Sequence, residues 1–287
     1  MKLTVIGIGL IGGSFSLALQ KKKLVSRVYG VDSNLTHQQR ALELGLVHEI
    51  LPLKEAVAQS DIILVAVPVD ATVKLLPEIL DLSDKQIVFD VGSTKASVLE
   101  AVSSHKNRKR FVATHPMWGT EHSGPDAAVQ NAFHNKAVVI CDAEESDTGA
   151  VNQIEYLYKK LGMHIVRMNG VDHDTHVAYV SHISHITSFA LASTVLEKER
   201  EEDTIFELAS GGFESTVRLA KSNADMWIPI FQQNRENVLD VLNEHISQLR
   251  KFKSCLEKEN WTYLRELIAE ANQIRKILDR KGAGEFR

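Results

Sequence analysis

Gly7-Ile8-Gly9-Leu10-Ile11-Gly12 follows directly on the apolar run Lys2 to Ile6 and opens a helix-compatible segment, Leu10 to Gln20. Few patterns constrain a fold as tightly, because each glycine has its own steric task. Gly7 allows a tight turn. Gly9 removes a side chain where backbone must come close to a ligand, and Gly12 lets the helix pack on the strand. A second strand, Arg27 to Val31, ends at Asp32, about 20 residues past Gly12. Strand, turn, helix, strand and acid in this order predict a dinucleotide site. The pyrophosphate would sit at the helix N-terminus, on the turn formed by Gly7, Gly9, Leu10, Ile11 and Gly12. Asp32 would accept hydrogen bonds from the adenine ribose and repel a 2′-phosphate, which predicts NAD rather than NADP. The same glycines argue against an export signal. They interrupt the apolar run, and Gln20-Lys21-Lys22-Lys23 stands where a small-residue cleavage site would be.

Further apolar runs continue the α/β alternation. Ile62 to Val67 is followed by Pro68, and strands are expected to end near Asp90, at His115 and at Cys141. The predicted fold class is a doubly wound Rossmann-type α/β domain, with ligands at the carboxyl ends of its strands. Val67, Pro68, Ser93 and His115 stand at such ends. From Asn169-Gly170 onward the pattern turns helical, with helices expected over 172–200, 204–221, 225–257 and 261–280. The expected domains are therefore an NAD-binding domain, 1–168, an all-α substrate and dimerisation domain, 169–281, and a mobile tail, 282–287. The segment 225–257 is too long for a small domain to cover, which points to a dimer-forming element of a homodimer, the alternative being a long solvent-exposed helix. A net charge of −4 argues against nucleic acid or an anionic membrane as partner. No apolar run approaches the ~20 residues that span a bilayer. Cys141 and Cys255 lie far apart without metal-ligand spacing, as suits a reducing cytoplasm.

Three stretches carry candidate chemistry. In Phe89 to Lys95, Ser93 and Thr94 follow a strand end and could cap the next helix, while Lys95 reads as a salt bridge or a surface charge. In Thr114 to Pro125, His115 follows an apolar strand and is locked by Pro116. A neutral imidazole there could take a proton from a hydroxyl as hydride leaves the same carbon. Asp172 to His185 holds His173, His176, His182 and His185. Their spacing misses the known ligand patterns, so no metal is expected. His173 and His176 read as helix-start residues; His182 and His185 share a face that points at a cleft or at solvent. Farther on, Ser210-Gly211-Gly212 would permit close backbone approach. Arg218, between Val217 and Leu219, either reaches the surface or grips a carboxylate.

Taken in order and spacing, these motifs resemble the prephenate dehydrogenase family of tyrosine biosynthesis. The resemblance rests on Gly7 to Gly13, Asp90 to Lys95, His115-Pro116-Met117, Ser181 to His185, Ser210-Gly211-Gly212-Phe213 and Met226-Trp227. It implies oxidative decarboxylation of prephenate to 4-hydroxyphenylpyruvate with NAD as cofactor. It makes His115 the base and Ser93 the group that orients it. Arg218 becomes the grip on a substrate carboxylate, and His182, His185, Gly212 and Trp227 become substrate-pocket residues. Family members often carry an aspartate where Ser215 stands, a threonine where Val217 stands and a small residue where Trp118 stands, which bears on substrate choice. Three alternatives remain. Arogenate dehydrogenase runs the same chemistry on an amino substrate. A β-hydroxyacid dehydrogenase would want a lysine on the first long helix of the second domain, where only Lys198 occurs, near the far end. A nonenzymatic NAD sensor would need neither His115 nor Arg218. No regulatory domain is expected after the helical half, so feedback by tyrosine would act at the active site.

Overall fold

The apolar runs of the first half form an eight-stranded sheet, in a computed structural model that describes residues 1–202 and 204–282. The chain order is β1 (Lys2–Ile6), α1 (Leu10–Lys21), β2 (Arg27–Val31), α2 (Leu35–Glu43), β3 (Glu49–Ile50), α3 (Leu53–Gln59), β4 (Ile62–Val65) and α4 (Val69–Leu82). It continues through β5 (Ile87–Asp90), α5 (Ala96–Glu100), β6 (Phe111–Pro116), β7 (Ala137–Cys141), α6 (Thr148–Lys160) and β8 (His164–Met168). The strands lie in the order β3-β2-β1-β4-β5-β6-β7-β8. Because β1 pairs with β2 on one side and β4 on the other, the crossovers reverse direction there. The carboxyl ends of β1 and β4 thus open the crevice where such sheets bind ligands.

Alternate residues of each strand enter opposite cores. Leu3, Val5, Ile62, Leu64 and Phe89 face one layer with Phe15 and Tyr158, while Ile63, Val65, Val88 and Phe111 face the other with Leu76 and Ile79. Both faces being covered, β4 is buried at all four positions, which is why its sequence is unbroken Ile and Val/Leu. Each such side chain contributes about 1.5–3 kcal/mol by leaving water.

One strand differs from the expected plan. β7 exists where the run ending at Cys141 places it, but it pairs antiparallel with β6, and β8 runs parallel to β7. The end of β7 at Cys141 therefore points away from the ligand edge, and strands only as far as β6 serve it. His115 is also the penultimate residue of β6 rather than the first beyond it, paired in register with Val139.

Beyond β8 the chain is helical. α7 (Gly170–Val177) passes through one π-helical turn, Ala178–His182, into α8 (Ile183–Glu202). α9 (Gly211–Val217) lies between two 3-10 turns, Ile205–Leu208 and Arg218–Lys221, so the stretch expected as one helix over 204–221 is broken. α10 (Ala224–Gln233) and α11 (Arg235–Glu257) replace the expected single helix over 225–257. Asn234 interrupts it because its buried amide donates to the Asp174 carbonyl at 2.7 Å instead of continuing the helix. α12 (Trp261–Ala271) and α13 (Ile274–Gly282) likewise divide 261–280. By internal contacts the chain divides into two compact units, 1–237 and 238–287; every candidate site residue lies in the first. Among the described residues no helix is long and apolar enough to cross a membrane. The tail expected to be mobile lies, from 283 on, outside the described residues.

Candidate active site

The glycine turn has the geometry its spacing calls for. Gly7 has φ +90°, and a Cβ there would meet the Ala66 carbonyl oxygen at 2.6 Å. A Cβ on Gly12 would lie 2.1 Å from the Gly7 carbonyl oxygen. Around Gly9 the case is reversed: beyond its chain neighbours and own helix backbone, nothing among the described residues lies within 4 Å of the Cβ position. Gly9 is also the N-cap of α1 and supplies no side-chain acceptor, so the first N–H groups of the helix, with Leu10 and Ile11 half-buried beside them, are set for an anion. Val67 touches the Gly7 turn from the facing strand end, and Pro68 caps α4 next to it. Asp32 stands at the end of β2, but its Oδ2 accepts from the Ile8 amide at 2.9 Å and its Oδ1 from the Asn34 amide at 2.9 Å. One oxygen thus fixes the glycine turn. An open cradle at Gly9, an uncapped helix start and an acid at the β2 end together fit a dinucleotide.

On the other side of β4, the ends of β5 and β6 meet the start of α7. His115 Nδ1 lies 2.8 Å from His173 Nε2, and His173 Nδ1 lies 2.8 Å from Asp174 Oδ1. Asp174 Oδ1 also accepts from the Lys95 amide at 2.7 Å, and its Oδ2 from the Ala96 amide at 2.9 Å. The start of α5 is therefore capped by Asp174 from α7, and not by Ser93 or Thr94. Thr94 instead donates to Gln233 Oε1 at 2.6 Å. Lys95 is neither on the surface nor loosely paired: it is wholly buried, in an ion pair with the wholly buried Asp90. Asp90 is held further by the Gly92 amide at 2.9 Å and the Thr114 amide at 3.1 Å. Ser93 stands half-buried between these two ends.

The helical side brings His182, His185 and Trp227 together. The rings of His185 and Trp227 have centroids 3.6 Å apart, and those of His182 and Trp227 5.8 Å apart. His182 is buried, with the Asn234 amide 3.1 Å from its Nδ1, so this histidine turns into the protein rather than to solvent, while His185 stands half-buried. Among the described residues the indole Nε1 of Trp227 is buried without a hydrogen-bond partner, an unused donor beside His182 and His185. Arg218 lies apart from an apolar core. It is half exposed and its guanidinium donates to Glu121 at 2.9 Å. Gly212 is exposed, and outside its own helix backbone and chain neighbours nothing among the described residues lies within 4 Å of its Cβ position, so the close approach expected there is not made by them. Trp118 turns into the sheet core against Phe133, with ring centroids 5.5 Å apart. Ser215 bonds back to the Gly212 carbonyl at 2.9 Å.

Burial keeps the histidines neutral. It pushes His115 well below the usual imidazole range, with the nearby His173, Lys95 and His182 acting in the same direction. His173 is lowered by burial against the opposing pull of Asp174, and His185 by burial and the charge of Arg218. His182 is lowered by burial to about 4. At neutral pH the cluster is a set of uncharged imidazoles, acceptors of protons rather than donors of charge. No group of three or more side chains arranged to hold a metal occurs among the described residues. Sequence reading missed the link of His173 and Asp174 to His115. His173 is 58 positions from its partner, and helix-start composition hid the pair.

Two family descriptions match the chain: "Prephenate dehydrogenase, nucleotide-binding domain" over residues 15–167 and "Prephenate dehydrogenase, dimerization domain" over residues 169–270. The prephenate dehydrogenase of Bacillus subtilis (strain 168) is 31% identical over 294 residues, spanning 99% of this chain and 78% of its own. The cyclohexadienyl dehydrogenase of Zymomonas mobilis is 28% identical across 96% of this chain and 95% of its own. Among solved structures, the prephenate dehydrogenase from A. aeolicus in complex with hydroxyphenyl propionate and NAD+ matches at a TM-score of 0.86. It is 27% identical and covers 97% of this chain and 98% of its own. The Synechocystis arogenate dehydrogenase matches at 0.76 with 26% identity, over 97% and 100% of the two chains.

Proposed function

The chain belongs to the prephenate dehydrogenase family, and from that premise we propose how its residues carry out the NAD-dependent oxidative decarboxylation of prephenate to 4-hydroxyphenylpyruvate. NAD, when bound, supplies the acceptor for the hydride that leaves the hydroxyl-bearing ring carbon, and loss of the ring carboxylate as carbon dioxide completes the aromatic ring. The Gly7-to-Gly12 turn and the start of α1 hold the pyrophosphate, and Asp32 meets the adenine ribose. His115 takes the hydroxyl proton. Ser93 hydrogen-bonds near the same hydroxyl. Arg218 offers its planar fork to a substrate carboxylate, and His182, His185, Gly212 and Trp227 line the remainder of the pocket. The single observation that carries this reading is His115 itself: half-buried, neutral and at the end of β6, two strands from the glycine crevice. The hydroxyphenyl propionate bound by the A. aeolicus protein has the phenol ring that the product would have, which supports the substrate class.

The division of labour we assign gives NAD to residues 1–168 and substrate and dimerisation to 169–281. Exposed Leu249, Leu256, Trp261, Ile268 and Ile274 on α11–α13 support a homodimer built through the helical part. Two free, buried cysteines support a cytoplasmic setting. Product analysis tests the chemistry. One 4-hydroxyphenylpyruvate and one carbon dioxide are expected for each NADH formed; NADH without carbon dioxide would contradict decarboxylation.

A further inference from the structure

We infer that His173 and Asp174 are positioning residues that fix the proton of His115 on Nδ1, so that Nε2 is left bare as the base. This rests on the role of His115 proposed above. The hydrogen bonds set the directions one after another. Both oxygens of Asp174 accept backbone N–H groups at the start of α5, from Lys95 at 2.7 Å and Ala96 at 2.9 Å, so this carboxylate is an acceptor. His173 Nδ1, 2.8 Å from Asp174 Oδ1, must therefore donate. A neutral imidazole has one N–H, so His173 Nε2 is left as a lone pair. That lone pair faces His115 Nδ1 at 2.8 Å, which makes His115 Nδ1 the donor. The remaining nitrogen of His115, Nε2, then carries no proton.

The same chain serves the protonated state. Once Nε2 has taken the hydroxyl proton, His115 carries a positive charge and its Nδ1–H points at an acceptor that Asp174 polarises. The logic is that of a carboxylate behind a histidine base, lengthened here by one imidazole. The charged and titratable groups facing His115 are His173, Lys95 and His182. Those facing His173 are Asp174, Lys95 and Asp90. Lys95 is bound to Asp90, so Asp174 is the anion left to face His173 directly. His173 is wholly buried and Asp174 nearly so, which shields the bond between them from solvent. The bonds from Asp174 to α5 also tie this chain to the loop that carries Ser93, so base and hydroxyl partner are set by one carboxylate.

Histidine-labelled 15N NMR of the full chain without added cofactor or substrate reads the tautomer directly. The His115 signals, identified by their loss in His115→Gln, are expected to report a protonated Nδ1 and an unprotonated Nε2. Two variants separate positioning from packing. His173→Gln places an amide oxygen toward His115 and an amide N–H toward Asp174, so it should keep the pattern and hold kcat within about tenfold. His173→Met fills the space without an acceptor. It should lose the fixed tautomer and lower kcat about 10²-fold, with KM for prephenate little changed. A His115 protonated at Nε2 in the unmodified chain would overturn the inference, and that reading stands even if His173→Met does not fold. So would a Met variant that keeps both tautomer and turnover. The ring-nitrogen pattern does not depend on turnover, so failure of prephenate as substrate would be told apart from failure of the relay.

Discussion

Replacing His115 with asparagine is expected to lower kcat with prephenate by ~10²–10⁴, the range for losing a general base. The substitution isolates that one function. An asparagine amide can still donate where Nδ1 faces His173, so the contact at 2.8 Å has a replacement. What it lacks is a basic lone pair in the place of Nε2. The glycine turn and Asp32 lie on β1, α1 and β2, so the Kd for NAD should stay unchanged. Steady-state kinetics paired with calorimetric NAD binding makes the comparison. A variant that keeps kcat within tenfold would remove His115 from the proton transfer.

The second large effect is on stability. Lys95 and Asp90 are both fully buried and paired, and Asp90 also receives the Gly92 and Thr114 amides. Lys95→Met would leave a carboxylate without its cation in the interior. Breaking a buried pair in this way costs about 3–5 kcal/mol, a large share of the ~5–15 kcal/mol that holds a typical protein folded. Denaturant unfolding should show the midpoint fall accordingly. Lys95→Met combined with Asp90→Asn should recover part of the loss, because the uncompensated charge is gone. A single variant as stable as the parent would mean that Asp90 does not need Lys95.

The two predictions differ in how far sequence could have led to them. His115 was legible because a histidine after Phe111 to Thr114, followed by proline, stands out at a strand end. The glycine turn was legible for a similar reason: its sterics are local, and Gly7 and Gly12 show the clashes that their spacing implies. Lys95 was not legible, since the same residue serves equally well on a surface. Pairings across long separations were hidden too. His173 reaches His115, Asp174 caps α5, and Asn234 breaks a helix in order to bond Asp174. None of these leaves a periodic trace. The direction of β7 was equally invisible, because an apolar run reads the same in either sense. The π-helical turn before α8 adds no residue type of its own, yet it carries His182, which meets Asn234. Local sterics and hydrophobic period are thus written in adjacent residues, whereas the polar network is written only in the assembled fold.

Oxidation of prephenate with NAD by this chain is read from NADH or NADPH formation with prephenate and with arogenate, each with NAD and with NADP. The highest kcat/KM is expected for prephenate with NAD, with NADP disfavoured by the Asp32 carboxylate at the end of β2. No turnover of prephenate by a folded chain that still binds NAD would contradict the account.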